Sequence, residues 1–162
     1  MFWYRKSDIV QWVEKMFEHS FKKEWYETYF AIDVHGTILL PNHRKDYLEA
    51  IFYPHAKETL QILSARDDVK LIMTTSSYPK EIEFYNNIFI SNNILFDYIN
   101  ENPEIDSTKG FFGYYEKKFY FNVMFEDKAG FKPERDWKQL YRLFKNYEKK
   151  KYLPDPNWYM KK

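Results

Sequence analysis

Two short apolar runs constrain the fold of this chain most. The run "YFAIDV" starts at Tyr29 and is followed by a turn residue, Gly36, and the run "VKLIMTT" covers Val69–Thr75 after the charged break "SARDD". Apolar runs of this length, bounded by turn signals, are typical of strands buried in a parallel sheet. Between them Pro54 marks a helix start. The inner face of that helix is apolar: Ala56, Leu60, Ile62 and Leu63. The order is therefore strand, helix, strand.

The rest of the chain continues this alternation. Ser7 is a suitable N-cap for a first helix, and apolar residues follow it at helical spacing: Ile9, Val10, Trp12, Val13, Met16, Phe17 and Phe21. After Pro79, "KEIEFYNNIFISNN" predicts a helix, and "ILFDYI" and "KKFYFNVMFE" predict a third and a fourth strand. A last helix is predicted from about Pro133, with an apolar face: Trp137, Leu140, Tyr141, Phe144 and Tyr147.

This order predicts an α/β protein. We expect a three-layer, Rossmann-like and mostly parallel sheet with helices on both faces and no large cap domain. The 162 residues fit one domain, with a helical extension over 1–28, a core over 29–137 and a C-terminal helix and tail over 138–162. Ligands of such sheets bind outside the carboxyl ends of the strands.

Charge and cysteine content exclude several classes of function. With 25 Lys and Arg against 24 Asp and Glu, the formal net charge of +1 gives no overall field for nucleic acid or an anionic membrane. The absence of cysteine excludes disulfides, thiolate nucleophiles and zinc–thiolate sites, and it fits a reducing, cytoplasmic location. No run of about 20 apolar residues predicts a membrane span, so no membrane partner is expected.

Asp33 is the first candidate for chemistry. It falls at the carboxyl end of the first predicted strand, and Gly36 and Thr37 follow where the backbone can turn and offer N–H groups to an anion. A nucleophilic carboxylate and a structural turn aspartate are both compatible with this position.

Two further groups lie at predicted strand ends. The run "TTSS", Thr74–Ser77, has hydroxyl and N–H groups for phosphate oxygens, although such residues also bond their own backbone in turns. Glu126 and Asp127 leave the fourth strand as adjacent acids, and Lys118 precedes that strand. Adjacent carboxylates at a strand end indicate a hard cation such as Mg²⁺, with a solvated loop as the alternative.

Taken together, these segments resemble the motif series of the haloacid dehalogenase (HAD) superfamily, whose members are mostly phosphatases. An aspartate strand, a strand ending in threonine, a lysine and an acidic pair occur in the order of that family, from about Tyr29 to Trp137. "KFYFNVMFEDKAGF" is similar to the lysine-to-acid segment of small capless members. The phosphatase module of polynucleotide kinase 3'-phosphatases is a second relative with paired acids.

The resemblance implies a Mg²⁺-dependent phosphohydrolase that acts through an aspartyl-phosphate. Asp33 resembles the nucleophile. Asp127 resembles the acid that binds Mg²⁺ together with Asp33 and the backbone carbonyl of His35, and Glu126 supports it. One Mg²⁺ and one lysine would supply the positive charge that a carboxylate needs to approach a phosphate dianion.

The resemblance also implies a phosphate-binding set. Its members are Gly36, Thr37, Thr75, Ser76 and Lys118, with Lys118 neutralising the nucleophile and the phosphoryl oxygens. Thr74 replaces Thr75 as the phosphate-binding hydroxyl if the second strand is one residue shorter. Lys109 is a rival cation.

His35 departs from the family pattern, which has an aspartate acid–base catalyst at this position. Loss of acid–base help typically costs about 10²- to 10⁴-fold in rate. His35 itself could carry the proton, since histidine titrates near neutrality. Two alternatives stay open: a reaction that needs no strong acid, with His35 only orienting groups, and a non-catalytic protein that binds a phosphorylated ligand.

The expected partner is a phosphorylated small molecule or a nucleic acid end, which makes a nucleic-acid 3'-end phosphatase a further alternative. No insertion large enough for a cap interrupts the motifs, so the site should be open. Residues near its predicted mouth could stack a base or sugar, or form a solvated loop: Arg44, Lys45, Tyr47 and Tyr78. His43 and His55 are interpreted as surface or core histidines. The sequence does not predict the oligomeric state.

Overall fold

The computed structural model describes residues 5–42, 49–105 and 113–150, with side chains up to residue 146. The elements in chain order are α1 (Asp8–Lys22), β1 (Thr28–Asp33), α2 (Ala56–Ser64), β2 (Val69–Thr74), α3 (Pro79–Ser91), β3 (Tyr98–Ile99), β4 (Val123–Phe125), a short 3₁₀ helix (Asp127–Ala129) and α4 (Pro133–Lys150). In these ranges no helix combines the length and the apolar character needed to cross a bilayer.

The described strands form one parallel sheet in the order β3-β2-β1-β4. Asp33 at the end of β1 is in register with Thr74 at the end of β2, and Phe30 is in register with Val123 of β4. The predicted α/β architecture, with a parallel Rossmann-like sheet and no large cap, is therefore confirmed. The carboxyl ends of β1, β2 and β4 lie at the same edge of the sheet.

One face of the sheet carries the main core. Alternate residues of β1 and β2 belong to one buried cluster: Phe30, Ile32, Leu71 and Met73. All four helices contribute apolar side chains to this cluster, among them Val13, Leu60, Phe89 and Phe144. Burying one such side chain contributes about 1.5–3 kcal/mol relative to leaving it exposed.

The opposite face is covered by irregular chain. Tyr29 and Lys70 are in register and point to this face. The Tyr29 hydroxyl donates to Glu104 Oε2 at 2.6 Å, and Lys70 Nζ lies 3.8 Å from Glu104 Oε1. The connection from β3 to β4, described apart from residues 106–112, therefore forms the second cover. Helices on both faces were expected, but the described helices all contribute to the core on the first face.

The third strand is shorter than predicted because its first residues end a helix. The N–H of Ile94 donates to the carbonyl of Phe89 at 2.9 Å, which closes the last turn of α3. The Asp97 carboxylate then accepts from the N–H of Leu71 at 2.8 Å. Regular pairing with β2 is left to Tyr98–Ile99.

The fourth strand is also shorter than "KKFYFNVMFE". Its pairing is introduced by Asn122, whose N–H donates to the Tyr29 carbonyl at 2.9 Å and whose Oδ1 accepts from the Tyr29 N–H at 2.8 Å. The residues before Asn122 turn onto the second face, where the Tyr120 ring packs edge-on against Tyr29. Only Val123–Phe125 remains as strand.

Candidate functional site

Three of the predicted site residues converge at the edge where the strands end. Asp33 closes β1, and Glu126 and Asp127 follow β4, its neighbour in the sheet. One carboxylate oxygen from each of the three lies within 4.8 Å of the others. Parallel pairing explains this arrangement, because strands that run side by side in one direction deliver their next residues to the same edge.

Two carboxylate oxygens of this cluster have no partner among the residues that the structure describes. Asp33 Oδ2 and Asp127 Oδ1 are buried and accept no hydrogen bond from the described residues. A buried carboxylate without a partner is costly, so such oxygens occur where a cation or a ligand compensates them. Mg²⁺ binds oxygen ligands and is held by one or two carboxylates plus water and substrate phosphate. The donor set fits a hard divalent cation.

The negative charges of the three carboxylates in this cluster repel one another. Burial raises the pKa of Asp33, and the nearby Asp127 carboxylate raises it further, while hydrogen bonds from Thr37 and Val34 and the charge of His35 lower it. Burial also raises the pKa of Glu126, as does a hydrogen bond that its protonated carboxyl shares with Asp127. A bound cation would relieve this repulsion by pairing with the ionised forms.

Thr37 ties the two strand ends together. Its side chain is fully buried. Its hydroxyl bonds to the Asp33 carboxylate and accepts from the Asp127 N–H at 3.1 Å. The Thr37 carbonyl accepts from the indole N–H of Trp137 at 2.6 Å, which fixes the turn to α4. The structure thus gives the Thr37 side chain a positioning role between Asp33 and Asp127.

Gly36 makes room for Asp127. Its φ is +80°, and a Cβ atom at this position would lie 2.8 Å from Asp127 Oδ2. Its N–H donates to the carbonyl of Leu39 at 2.8 Å, within the turn after β1. The N–H that was predicted for phosphate is therefore used by the turn, and the role visible for Gly36 is the close approach of the carboxylate.

The two threonines after β2 differ in what they bond. Thr75 Oγ1 donates to Ser77 Oγ at 2.8 Å and accepts from the Ser77 N–H at 3.1 Å, which forms a turn. Thr74 Oγ1 is buried and has no partner among the described residues. Thr74 is also the last residue of β2, directly beside Asp33. The unpaired hydroxyl next to the carboxylates therefore belongs to Thr74, the alternative to Thr75, while Ser76 is exposed in the loop that follows.

Lys118 lies on the wall of a cavity rather than in a strand. Its Nζ lies 5.9 Å from the centre of the Tyr115 ring. The cavity, about 740 Å³ in volume, is lined by Lys118 and Thr74 among others. Lys118, which was expected to precede β4 directly, thus lines a cavity that Thr74 also lines. This cavity is on the sheet face covered by the β3–β4 connection.

His35 is held in the turn after Asp33. It is half-buried, and its ring packs edge-on against Tyr85 of α3 with ring centres 4.7 Å apart. Its charge is near enough to lower the pKa of Asp33. His35 therefore lies beside the carboxylates, with its ring orientation supported by α3.

Other predicted candidates lie apart from this site or outside the described residues. His55 is the N-cap residue before α2, at a φ of 70°, and it stacks on Tyr141 with ring centres 5.3 Å apart, so it has a structural role. Tyr78 is 79% exposed. Five of the predicted candidates lie outside the described ranges: His43, Arg44, Lys45, Tyr47 and Lys109.

Sequence reasoning missed two residues that position the site. Asn100 has a φ of 56°. Its amide holds both backbone groups of Thr75 at 2.8 Å. An Asn directly after a predicted strand is a signal for such a left-handed position, because Asn tolerates it better than most residues. Trp137 was predicted as core, but its bond to Thr37 has no sequence signal because one hundred residues separate the partners.

Comparisons with known proteins define the fold and no more. No family model matches the chain, and no curated protein matches it. Among solved structures, a conserved protein from Bacteroides thetaiotaomicron is similar, with a TM-score of 0.54 and 23% identity, covering 74% of this chain and 91% of that one. At this identity the likeness supports the α/β fold alone.

Proposed function

We propose that this chain is a Mg²⁺-dependent phosphohydrolase of the HAD type, acting on phosphomonoesters through an aspartyl-phosphate on Asp33. One observation carries the proposal: Asp33 and Asp127 converge next to Thr74, and a buried oxygen of each of the three side chains has no partner among the described residues. Two carboxylates and a hydroxyl without protein partners are what a metal–phosphate ligand needs.

Residues Asp33, Glu126 and Asp127 would hold the metal, together with the His35 carbonyl. Bound there, Mg²⁺ supplies positive charge that lets a carboxylate approach a phosphate dianion. The Thr74 hydroxyl donates to a phosphoryl oxygen, and Lys118 reaches the phosphate from the adjoining cavity. Thr37 keeps Asp33 aligned through its buried hydrogen bond.

The reaction would proceed in two displacements on phosphorus. In the first, an Asp33 carboxylate oxygen forms a bond to phosphorus while the bond to the leaving oxygen breaks. His35 protonates that leaving oxygen and, in the second step, takes a proton from the attacking water. The water oxygen then bonds to phosphorus, the bond to Asp33 breaks, and inorganic phosphate leaves.

The experiment is hydrolysis of p-nitrophenyl phosphate with Mg²⁺ over a range of pH. Asp33→Asn should abolish turnover. Asp67→Asn is the matched control, since Asp67 is exposed in the turn before β2 at the far end of the sheet. His35→Asp should keep activity and move its pH profile. Wild-type turnover that survives Asp33→Asn would contradict the proposal.

A non-catalytic phosphate-binding protein of the same fold is the second candidate. The packing of His35 against Tyr85 favours it, because a ring held against α3 has less freedom to follow a proton between two oxygens. This candidate predicts a silent wild type that binds Mg²⁺ and phosphate and gains activity in His35→Asp. A cytoplasmic setting belongs to both candidates, since the chain contains no cysteine.

A further inference from the structure

The cavity beside the proposed metal site has the features of a nucleoside pocket. We infer that it binds the base and sugar of a nucleoside monophosphate. This inference rests on the proposed function, in which the phosphate of the ligand is transferred to Asp33. We call it the β3–β4 cavity; six of its lining residues are Thr74, Asn102, Tyr115, Lys118, Phe119 and Met124.

The position of the cavity relative to Asp33 follows from strand alternation. Phe30 and Ile32 point to the main core, so the Asp33 side chain leaves β1 on the opposite face of the sheet, together with Tyr29. The β3–β4 connection covers that face. Thr74 is in register with Asp33, one strand away at about 4.8 Å. A phosphate at the Thr74 hydroxyl would therefore leave its ester group inside the β3–β4 cavity.

Aromatic side chains form one wall of this cavity. Tyr115, Phe119 and Phe121 all line it from a single segment. The segment is held in place: the Tyr120 ring packs against Tyr29 at 5.9 Å, and the Tyr120 carbonyl accepts from Asn102 Nδ2 at 3.0 Å. Flat rings stack on such side chains without regard to base identity. A planar heterocycle is the ligand group that this wall fits.

Charged side chains surround the aromatic wall. Lys117 and Lys118 supply cations on the same segment, and Lys118 lies over the Tyr115 ring. The carboxylates of Glu101 and Glu116 also line the cavity and can accept from ring or exocyclic N–H groups. Cations for a phosphate together with acceptors for a base edge match a nucleotide better than an apolar ester.

Volume separates a nucleoside from a smaller sugar. At about 740 Å³, the cavity is in the range of about 300–1,000 Å³ that holds drug-sized ligands. A hexose phosphate would leave most of the aromatic wall uncovered. A base and its ribose fit within this volume, and the base offers a flat ring to the aromatic wall.

Calorimetric titration with adenosine in the presence of EDTA tests the inference. Adenosine has no phosphate, so its binding does not depend on the metal or on turnover. We expect the wild type to bind adenosine, and Phe119→Leu and Phe119→Ala to bind it roughly 5- to 100-fold more weakly, the size of one base–aromatic stack. Phe119→Leu preserves apolar volume if the alanine variant does not fold.

Tyr26→Ala is the matched control, because Tyr26 is a 62% exposed aromatic residue outside the β3–β4 cavity. It should bind adenosine as the wild type does. The inference is overturned if the wild type does not bind adenosine, if folded Phe119 variants bind it unchanged, or if ribose 5-phosphate binds as tightly as adenosine 5'-monophosphate. Adenosine binding without any phosphatase activity would instead contradict the proposed function and leave the pocket intact.

Discussion

The Thr37 hydroxyl oxygen lies 3.1 Å from the backbone nitrogen of Asp127, ninety residues further along the chain. The same hydroxyl bonds to Asp33. One buried side chain thus joins the loop after β1 to the loop after β4, and the two carboxylates that it links are among those proposed to hold Mg²⁺.

Thr37→Val should therefore lower both stability and metal affinity. The variant keeps the shape of threonine but leaves the Asp127 N–H without an acceptor, which costs about 1–3 kcal/mol of the free energy of unfolding. Urea denaturation and a Mg²⁺ titration measure the two effects. Thr37→Ser keeps the hydroxyl and should restore Mg²⁺ affinity. Equal Mg²⁺ affinity in Thr37→Val and the wild type would show that the bridge does not position the site.

Gly36→Ala should remove Mg²⁺ binding because the new Cβ would lie 2.8 Å from Asp127 Oδ2. Gly130→Ala is the control, since Gly130 also has a positive φ, 102°, but, apart from its chain neighbours, no described residue lies within 4 Å of its Cβ position. Both variants carry backbone strain of about 1–3 kcal/mol. Only Gly36→Ala should lose the shift in melting temperature that Mg²⁺ produces. Loss of that shift in both variants would assign the effect to strain.

Asp33→Asn should stabilise the metal-free protein at neutral pH. In the folded state the pKa of Asp33 is raised above 3.8 and that of Glu126 above 4.5. Between the ordinary and the raised pKa values, the folded state therefore binds more protons than the unfolded state. The free energy of unfolding consequently falls as the pH rises through that window. Because the asparagine side chain carries no charge, the free energy of unfolding of Asp33→Asn should fall less than that of the wild type over this window.

Thermal unfolding in EDTA at several pH values measures the difference between the wild type and Asp33→Asn. The difference should grow as the pH rises through the window and then stay constant. Mg²⁺ should reverse the order by stabilising only the wild type, because a ligand that binds the folded state raises its stability by mass action. A variant that is less stable than the wild type in EDTA at neutral pH would contradict the proposed carboxylate repulsion.

Thr74→Val and Thr75→Val should have different kinetic effects. Thr74 Oγ1 is unpartnered beside Asp33, so its loss should lower kcat/KM for a phosphomonoester by roughly tenfold, the worth of one hydrogen bond to a charged group. Thr75 bonds Ser77 in a turn, so Thr75→Val should affect stability more than kcat/KM. The opposite ranking in steady-state kinetics would identify Thr75 as the phosphate-binding hydroxyl.

The elements that the sequence predicts best are those whose signal is local. Helix α1 begins after Ser7 and α3 begins at Pro79, where helical periodicity predicts them, because that periodicity acts within a few residues. The Ser7 side chain itself makes no capping hydrogen bond. Strands β3 and β4 are shorter than their apolar runs. Their ends are decided by distant partners, such as the Asp97 carboxylate on Leu71, which no local pattern contains.

The same distinction applies to the site. Asp33, Glu126 and Asp127 were predicted as one metal site from the resemblance to the HAD motif series, and parallel pairing explains why the strand ends that carry them meet at one edge. Thr74 and Thr75 could not be ranked from sequence, because a one-residue difference in strand length decides which hydroxyl enters the turn. Phe119 and Phe121 of the aromatic wall were interpreted as strand, since their apolar run does not reveal the turn onto the second face.

The most direct test of the phosphoryl-transfer proposal is a crystal structure with Mg²⁺ and beryllium trifluoride, which bonds a carboxylate oxygen in place of a phosphoryl group. We expect beryllium bonded to an Asp33 oxygen and Mg²⁺ at about 2.1 Å from both Asp33 and Asp127 oxygens, with the fluorides near the Thr74 hydroxyl. Mg²⁺ bound at another site, or beryllium trifluoride on a carboxylate other than Asp33, would contradict it.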